Sequence, residues 1–119
     1  MSLINQGKSA RIKSVYGHNL GTTYETVYTC PANCIAEITF VHVVNGGGST
    51  NSVEVEWYVS ADNYTSHFLK GKSLNASEYV TFSDIDLVLQ AGDEIRVTPT
   101  SAGHIDTILT VTETFVPVG

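Results

Sequence analysis

Cysteine, proline, tryptophan and basic side chains are all scarce in this chain of 119 residues, and each shortage excludes something. Two cysteines, Cys30 and Cys34, are too few for a disulfide scaffold and fit synthesis in a reducing cytoplasm. Six Lys and Arg stand against twelve Asp and Glu. Three of the six, Lys8, Arg11 and Lys13, lie in the first thirteen residues with no acid beside them. From Ser14 onward only Lys70, Lys72 and Arg96 accompany all twelve acids, leaving the body near −9 and the leading segment near +3. Such a body repels nucleic acid, and no basic patch with interleaved aromatics offsets it. No apolar run is long enough to span a bilayer, and the N-terminus lacks the apolar core of a signal peptide. A sustained 3.6-residue apolar period is missing too, so no α-helix longer than two turns is expected. A far-ultraviolet circular dichroism spectrum without strong helical minima is the corresponding measurement.

What the chain does have is Val, Thr and alternation. Val53, Val55, Trp57 and Val59 alternate with Glu54, Glu56, Tyr58 and Ser60, the pattern of a half-buried strand. Trp57 is expected in the core with a partner for its indole N–H. Leu87 to Thr98 reads as two short strands around Ala91-Gly92-Asp93, hence a hairpin, with Leu87, Leu89, Ile95 and Val97 inward. Ile35 to Asn45 is the longest strand, and strict alternation makes both of its faces apolar. Ala36, Ile38, Phe40 and Val44 share one face, and Ile35, Val41 and Val43 the other. A central strand or one meeting a partner subunit reads this way. Val41 and Val43 are therefore expected near a subunit contact. Further strands are read at Arg11–Tyr16, Tyr24–Thr29, Tyr64–Lys70, Glu78–Ser83 and Ile105–Val116. They are separated by turns at Gly17–Gly21, Cys30–Cys34, Gly46–Asn51, Ala61–Asn63 and Gly71–Ala76. The sum is an all-β, antiparallel β-sandwich of jelly-roll type. Residues 11–119 form its single domain, and residues 1–10 an N-terminal arm.

Candidate chemistry is thin. The run Gly46-Gly47-Gly48 lacks the Gly-Lys-Ser/Thr of a phosphate loop. Cys30 and Cys34 are separated by three residues, with no His pair at finger spacing, so no structural zinc site is read from them. Four histidines, His18, His42, His67 and His104, are dispersed, and His42, on the face of Ile38 and Phe40, reads as a core or interface histidine ahead of a ligand. Asp84, Asp86, Asp93 and Glu94 have no EF-hand spacing and read as solvated turn carboxylates. No catalytic residue, cofactor ligand or metal ligand is assigned. The tyrosines suit packing and interfaces ahead of sugar stacking.

Three motifs in order carry a resemblance. Val27-Tyr28-Thr29-Cys30-Pro31-Ala32-Asn33 resembles the "VYTVPA" opening of small structural proteins of tailed, especially marine, bacteriophages. Val53-Glu54-Val55-Glu56-Trp57-Tyr58 resembles the strand that follows in them. Leu87 to Thr98 resembles their "LxAGDxIxVT" segment. The match runs from about Val27 to Thr114, and the chain departs from it at Cys30 and Cys34. The resemblance implies a non-enzymatic virion component, assembled in the host cytoplasm, that contacts a major capsid protein or tail proteins. Capsid decoration by a homotrimer is the leading expectation. A tail or fibre-base component and a carbohydrate-binding module for host glycans are the alternatives. Lys8, Arg11 and Lys13 are expected to dock on an acidic neighbour.

Overall fold

A computed structural model describes residues 10–116, and within them nine strands build two stacked antiparallel sheets. In chain order they are β1 (Ala10–Asn19), β2 (Glu25–Thr29), β3 (Cys34–Asn45), β4 (Asn51–Val59), β5 (Tyr64–Leu74), β6 (Tyr79–Phe82), β7 (Leu87–Leu89), β8 (Glu94–Pro99) and β9 (Ile105–Phe115). A 3-10 turn at Ser60–Asp62 links β4 to β5, and no α-helix occurs among the described residues. The first sheet runs β1-β9-β3-β6, with β7 also on β3. There β6 pairs with Val41–Val44 and β7 with Ala36–Ile38, so the two short strands share one edge end to end. The second sheet runs β2-β8-β4-β5. The chain changes sheet at every connection except β4–β5 and β6–β7, the crossing pattern of a jelly roll.

Alternation decides what lies between the sheets. Val53 and Val55 from β4, Ile95 and Val97 from β8, and Ile105, Leu109 and Val111 from β9 are all fully or almost fully buried. Trp57 is half-buried against this core, and its indole N–H donates to Asp93 Oδ2 at 3.4 Å. Asp93 is itself buried and also accepts from the backbone N–H of Ser60 (2.9 Å) and Gln90 (3.0 Å). The expected hairpin at Leu87–Thr98 is corrected by this turn. Strand β7 pairs with β3 in the first sheet, whereas β8 pairs with β2 and β4 in the second. The Gln90–Asp93 turn therefore carries the chain across the core. Alternation alone cannot separate the two cases, because strands facing each other across a core bury the same residues as strands side by side.

A second correction concerns β3. Ile38 pairs with Val111 and Phe40 with Thr110, so Thr39 is an extra residue, a β-bulge. The bulge turns the strand over: Ala36 and Ile38 before it, and Val41 and Val43 after it, are all fully buried on the same interior face. Val41 and Val43 are thus core residues of the single chain and do not present themselves to a partner. The two-sided apolar character of Ile35–Asn45 came from reading straight through the bulge. Strand ends shift as well. Strand β1 runs on to Asn19 through Gly17, where a Cβ would meet Val27 Cγ2 at 2.7 Å. Strand β5 runs on to Leu74, absorbing Gly71 at φ +64° where the register shifts against β4.

The two thiols are free. Cys30 is buried, and its Sγ donates to Cys34 O at 3.4 Å. Burial, with the neighbouring Cys34 next, pushes the Cys30 thiol up to about 11, which leaves little thiolate at neutral pH. The double variant Cys30→Val, Cys34→Val is expected to keep the fold and melt close to wild type. A thiol reagent is expected to label the part-exposed Cys34 in the native protein and Cys30 only on unfolding.

Candidate functional site

The two sheets turn very different surfaces outward. On the first sheet the bulge sends Phe40, His42 and Val44 out, alongside Tyr16 and Ile12 of β1, Ile108 of β9 and Tyr79 of β6. Cross-strand register sets Tyr16, Ile108, His42 and Thr81 in one row. Ile12 is 74% exposed, Tyr16 80%, Tyr79 62% and Ile108 43%. His42 Nδ1 lies 2.8 Å from Thr81 Oγ1, and its ring stacks parallel to Phe40 at 6.3 Å and tilts toward Tyr79 at 5.2 Å. The charged residues of this face, Glu37 and Asp106, sit toward opposite ends of it.

The outer face of the second sheet is polar. Arg96 Nε donates to Glu94 Oε1 at 2.9 Å, and its guanidinium lies 4.3 Å from the Tyr24 ring centre and 4.0 Å from that of Tyr58. The cation fills the space between these two rings. Beside it, His67 Nε2 lies 3.0 Å from Glu56 Oε2 and 3.3 Å from Glu54 Oε1. The Thr98 hydroxyl reaches Glu56 Oε1 at 3.3 Å. With Tyr28 buried and Trp57 turned to the core, the tyrosines do not line up as one open stacking platform on this sheet.

The three cations expected to dock on a neighbour separate. Lys8 lies outside the described residues. Arg11 and Lys13 belong to β1 and face inward, toward the buried carboxylate of Glu113 on β9. Arg11 Nε lies 2.7 Å from Glu113 Oε1 and Lys13 Nζ 3.1 Å from Oε2. The Tyr28 hydroxyl, reaching over from the other sheet, donates to Glu113 Oε2 at 2.5 Å. Burial works to raise the Glu113 carboxyl, but the hydrogen bonds from Tyr28, Arg11 and Lys13 outweigh it and hold the group below the usual carboxylate range. Burial, then the bond to Glu113 and its charge, drive the Tyr28 hydroxyl far above its ordinary value. Arg11 and Lys13 therefore already have an acidic partner within the chain.

At the other end of β1, His18, Asp106 and His104 converge. His18 and Asp106 are register partners on β1 and β9, with Nδ1 and Oδ1 2.5 Å apart. His104 Nε2 lies 3.5 Å from Asp106 Oδ2, and the two imidazoles meet edge to face at 4.5 Å. Between the sheets, at the β5–β6 edge, Phe68, Phe82, Ile85 and Leu87 line an apolar cleft of about 300 Å³ with Asp86 at its mouth. None of these clusters shows the nucleophile–base–orienter arrangement of a hydrolase. Among the described residues no helix is long and apolar enough to cross a membrane.

Sequence reasoning missed the Glu113 and His18 clusters because their members are 85 to 102 positions apart in the chain. One local signal pointed to the first. Glu113 continues the inward series Ile105, Thr107, Leu109 and Val111, so a charge falls where period two demands a core residue.

No protein-family model and no curated protein sequence matches the chain. Solved structures do. A chain of the acidic stable capsid of the Helicobacter pylori bacteriophage KHP30 superposes with a TM-score of 0.55 at 18% identity, covering 92% of this chain and 89% of that one. A chain of the infectious bursal disease virus particle superposes at 0.51 and 9% identity, covering 93% of this chain and 36% of that one. This chain thus spans about a third of the length of the second protein and nearly all of the first. The fold is a jelly-roll β-sandwich of the kind found in viral capsids.

Proposed function

We propose that the chain is a non-enzymatic structural component of a bacteriophage virion, one that decorates and stabilises the capsid as a homotrimer. The observation that carries this reading is the apolar, aromatic outer face of the first sheet. Tyr16, Ile108, Phe40, His42 and Tyr79 together form a surface of interface composition, opposite a face of charges and ion pairs. A second copy of this chain is the proposed occupant: with a net charge of −6, copies repel one another elsewhere, and this charge-poor apolar face is where they can approach. The likeness in fold to a chain of a phage capsid, over most of both chains, supports a capsid component. Around a symmetric trimer each capsid contact is repeated, so attachment survives the opening of any one of them.

Two features of the attachment follow. The docking role falls to residues 1–9, with Lys8, because Ala10, expected as the last residue of the arm, already pairs with Thr114 in β1, where Arg11 and Lys13 also lie. Removing residues 1–9 is expected to leave the sandwich folded and oligomeric while weakening retention on undecorated particles in co-sedimentation. The loss should be largest at low salt, where the screening length is long, about 10 Å at 0.1 M and more below it. Equal retention of full-length and truncated protein at every salt concentration would move the contact to the sandwich itself. A particle reconstruction tests the larger reading: density for this sandwich at capsomer junctions supports it, and density confined to the tail replaces it with the tail component.

A further inference from the structure

We propose that His18, His104 and Asp106 form a binding site for a divalent transition-metal ion, Zn²⁺ in particular. Two imidazoles and one carboxylate are the nitrogen and oxygen donors that Zn²⁺ takes, and three protein ligands leave a fourth position for water or another donor. A tetrahedral ion with bonds of about 2.0–2.2 Å needs donors about 3.4 Å apart. The donor atoms of these three side chains all lie within 4.8 Å of one another, and each imidazole already reaches one oxygen of the Asp106 carboxylate, His18 Nδ1 at 2.5 Å from Oδ1 and His104 Nε2 at 3.5 Å from Oδ2.

The scaffold is fixed before any ion arrives. His18 and Asp106 face each other across the β1–β9 ladder on the same face. The backbone of His104 is pinned where its carbonyl accepts from Gly46 N–H at 2.8 Å, so the turn before β9 holds the third donor in place. His18 and Asp106 line an open recess of about 380 Å³ with Tyr16, Thr107 and Ile108, which gives an ion access from solvent. Among the described residues no Lys or Arg pairs with Asp106, and the Glu25 carboxylate accepts from the His18 backbone N–H at 3.3 Å. The local charge therefore favours a cation, as does the chain's net charge of −6.

Glu54, Glu56 and His67 on the second sheet offer a comparable donor set. It is weighted toward carboxylates, and His67 Nε2 lies within 3.3 Å of both of them. The site at His18 has two imidazoles and only one carboxylate to satisfy them. It also ties the end of β1 to the β8–β9 turn, so an ion there clips the rim of the first sheet.

The test is isothermal calorimetry and thermal melting of the chelator-treated full chain with ZnCl₂, compared with His104→Gln, His18→Gln and His67→Gln. Wild type and His67→Gln are expected to bind one ion per chain. Zinc at roughly 100 times the dissociation constant should raise their Tm by several degrees, as a ligand that binds only the folded state does. His104→Gln and His18→Gln are expected to lose the calorimetric site and the zinc-dependent shift while melting like wild type without zinc. Binding retained by both of these variants, or lost in His67→Gln alone, would overturn the assignment, as would no binding by wild type at millimolar zinc.

Discussion

Val43→Lys is expected to unfold the chain or lower its melting temperature by roughly 15 °C or more, while Val44→Lys, one residue along, stays close to wild type. The difference rests on the bulge at Thr39. Val43 is fully buried between the sheets, where a lysine must either bury an unpaired ammonium or break the core packing between its cross-strand neighbours Val80 and Thr107. Such a substitution costs more than about 4 kcal/mol, against a total stability of about 5–15 kcal/mol for a domain of this kind. Val44 points out from the same strand and pairs across it with Asp106, so a lysine there meets water and an acid. An unbulged strand continuing the alternation of Ala36 and Ile38 would bury Val44 and expose Val43, and the two results would exchange. Melting curves by circular dichroism for the two variants decide between these registers.

Glu113→Gln is expected to cost about 2 kcal/mol at neutral pH and to flatten the acid side of the stability curve. The carboxylate is 1% exposed and serves three donors from two strands, Arg11 and Lys13 of β1 and Tyr28 of β2. Glutamine keeps an acceptor for the Tyr28 hydroxyl but removes the charge that holds the two cations over the end of the sandwich. The pH dependence follows from the direction of the shift. Because the folded-state value of Glu113 lies below that of an unfolded glutamate, its contribution is fully present above the unfolded value of about 4.3 and is lost as pH falls through the folded value. Wild-type stability should therefore drop steeply below about pH 4, and the variant should lose less over the same interval. Urea denaturation at pH 7 and at pH 3 for both proteins gives the comparison. An unchanged acid slope in Glu113→Gln would place the acid-sensitive group elsewhere.

Most of the strand content was legible in the sequence, because burial on one face writes itself as period two. Val53-Glu54-Val55-Glu56-Trp57 and Ile95-Arg96-Val97 carry that signal cleanly, and both lie where it puts them. The errors fall where one extra residue or one missing pairing breaks the local rule. Thr39 reverses the sense of β3, so Val41 and Val43 move from an expected subunit contact to the core. Leu87 to Val97 buries the residues expected of a hairpin, yet its halves belong to different sheets, because pairing partners are chosen by topology over distances a local pattern does not encode. The clusters at Glu113 and at His18 were illegible for the same reason: each joins residues from opposite ends of the chain. Arg11 and Lys13 looked like free cations because their partner lies about 100 residues away.

The outer face of the first sheet is the proposed assembly surface for copies of this chain. Multi-angle light scattering on wild type and on Ile108→Asp tests this, since Ile108 sits between Tyr16 and His42 in the middle of that face and points away from the core. Wild type should elute with three times the chain mass of 12.8 kDa, and the variant as a folded monomer with an unchanged melting profile. A wild-type protein that remains monomeric at high concentration, or a variant that keeps the wild-type mass, would show that this face does not join copies of the chain.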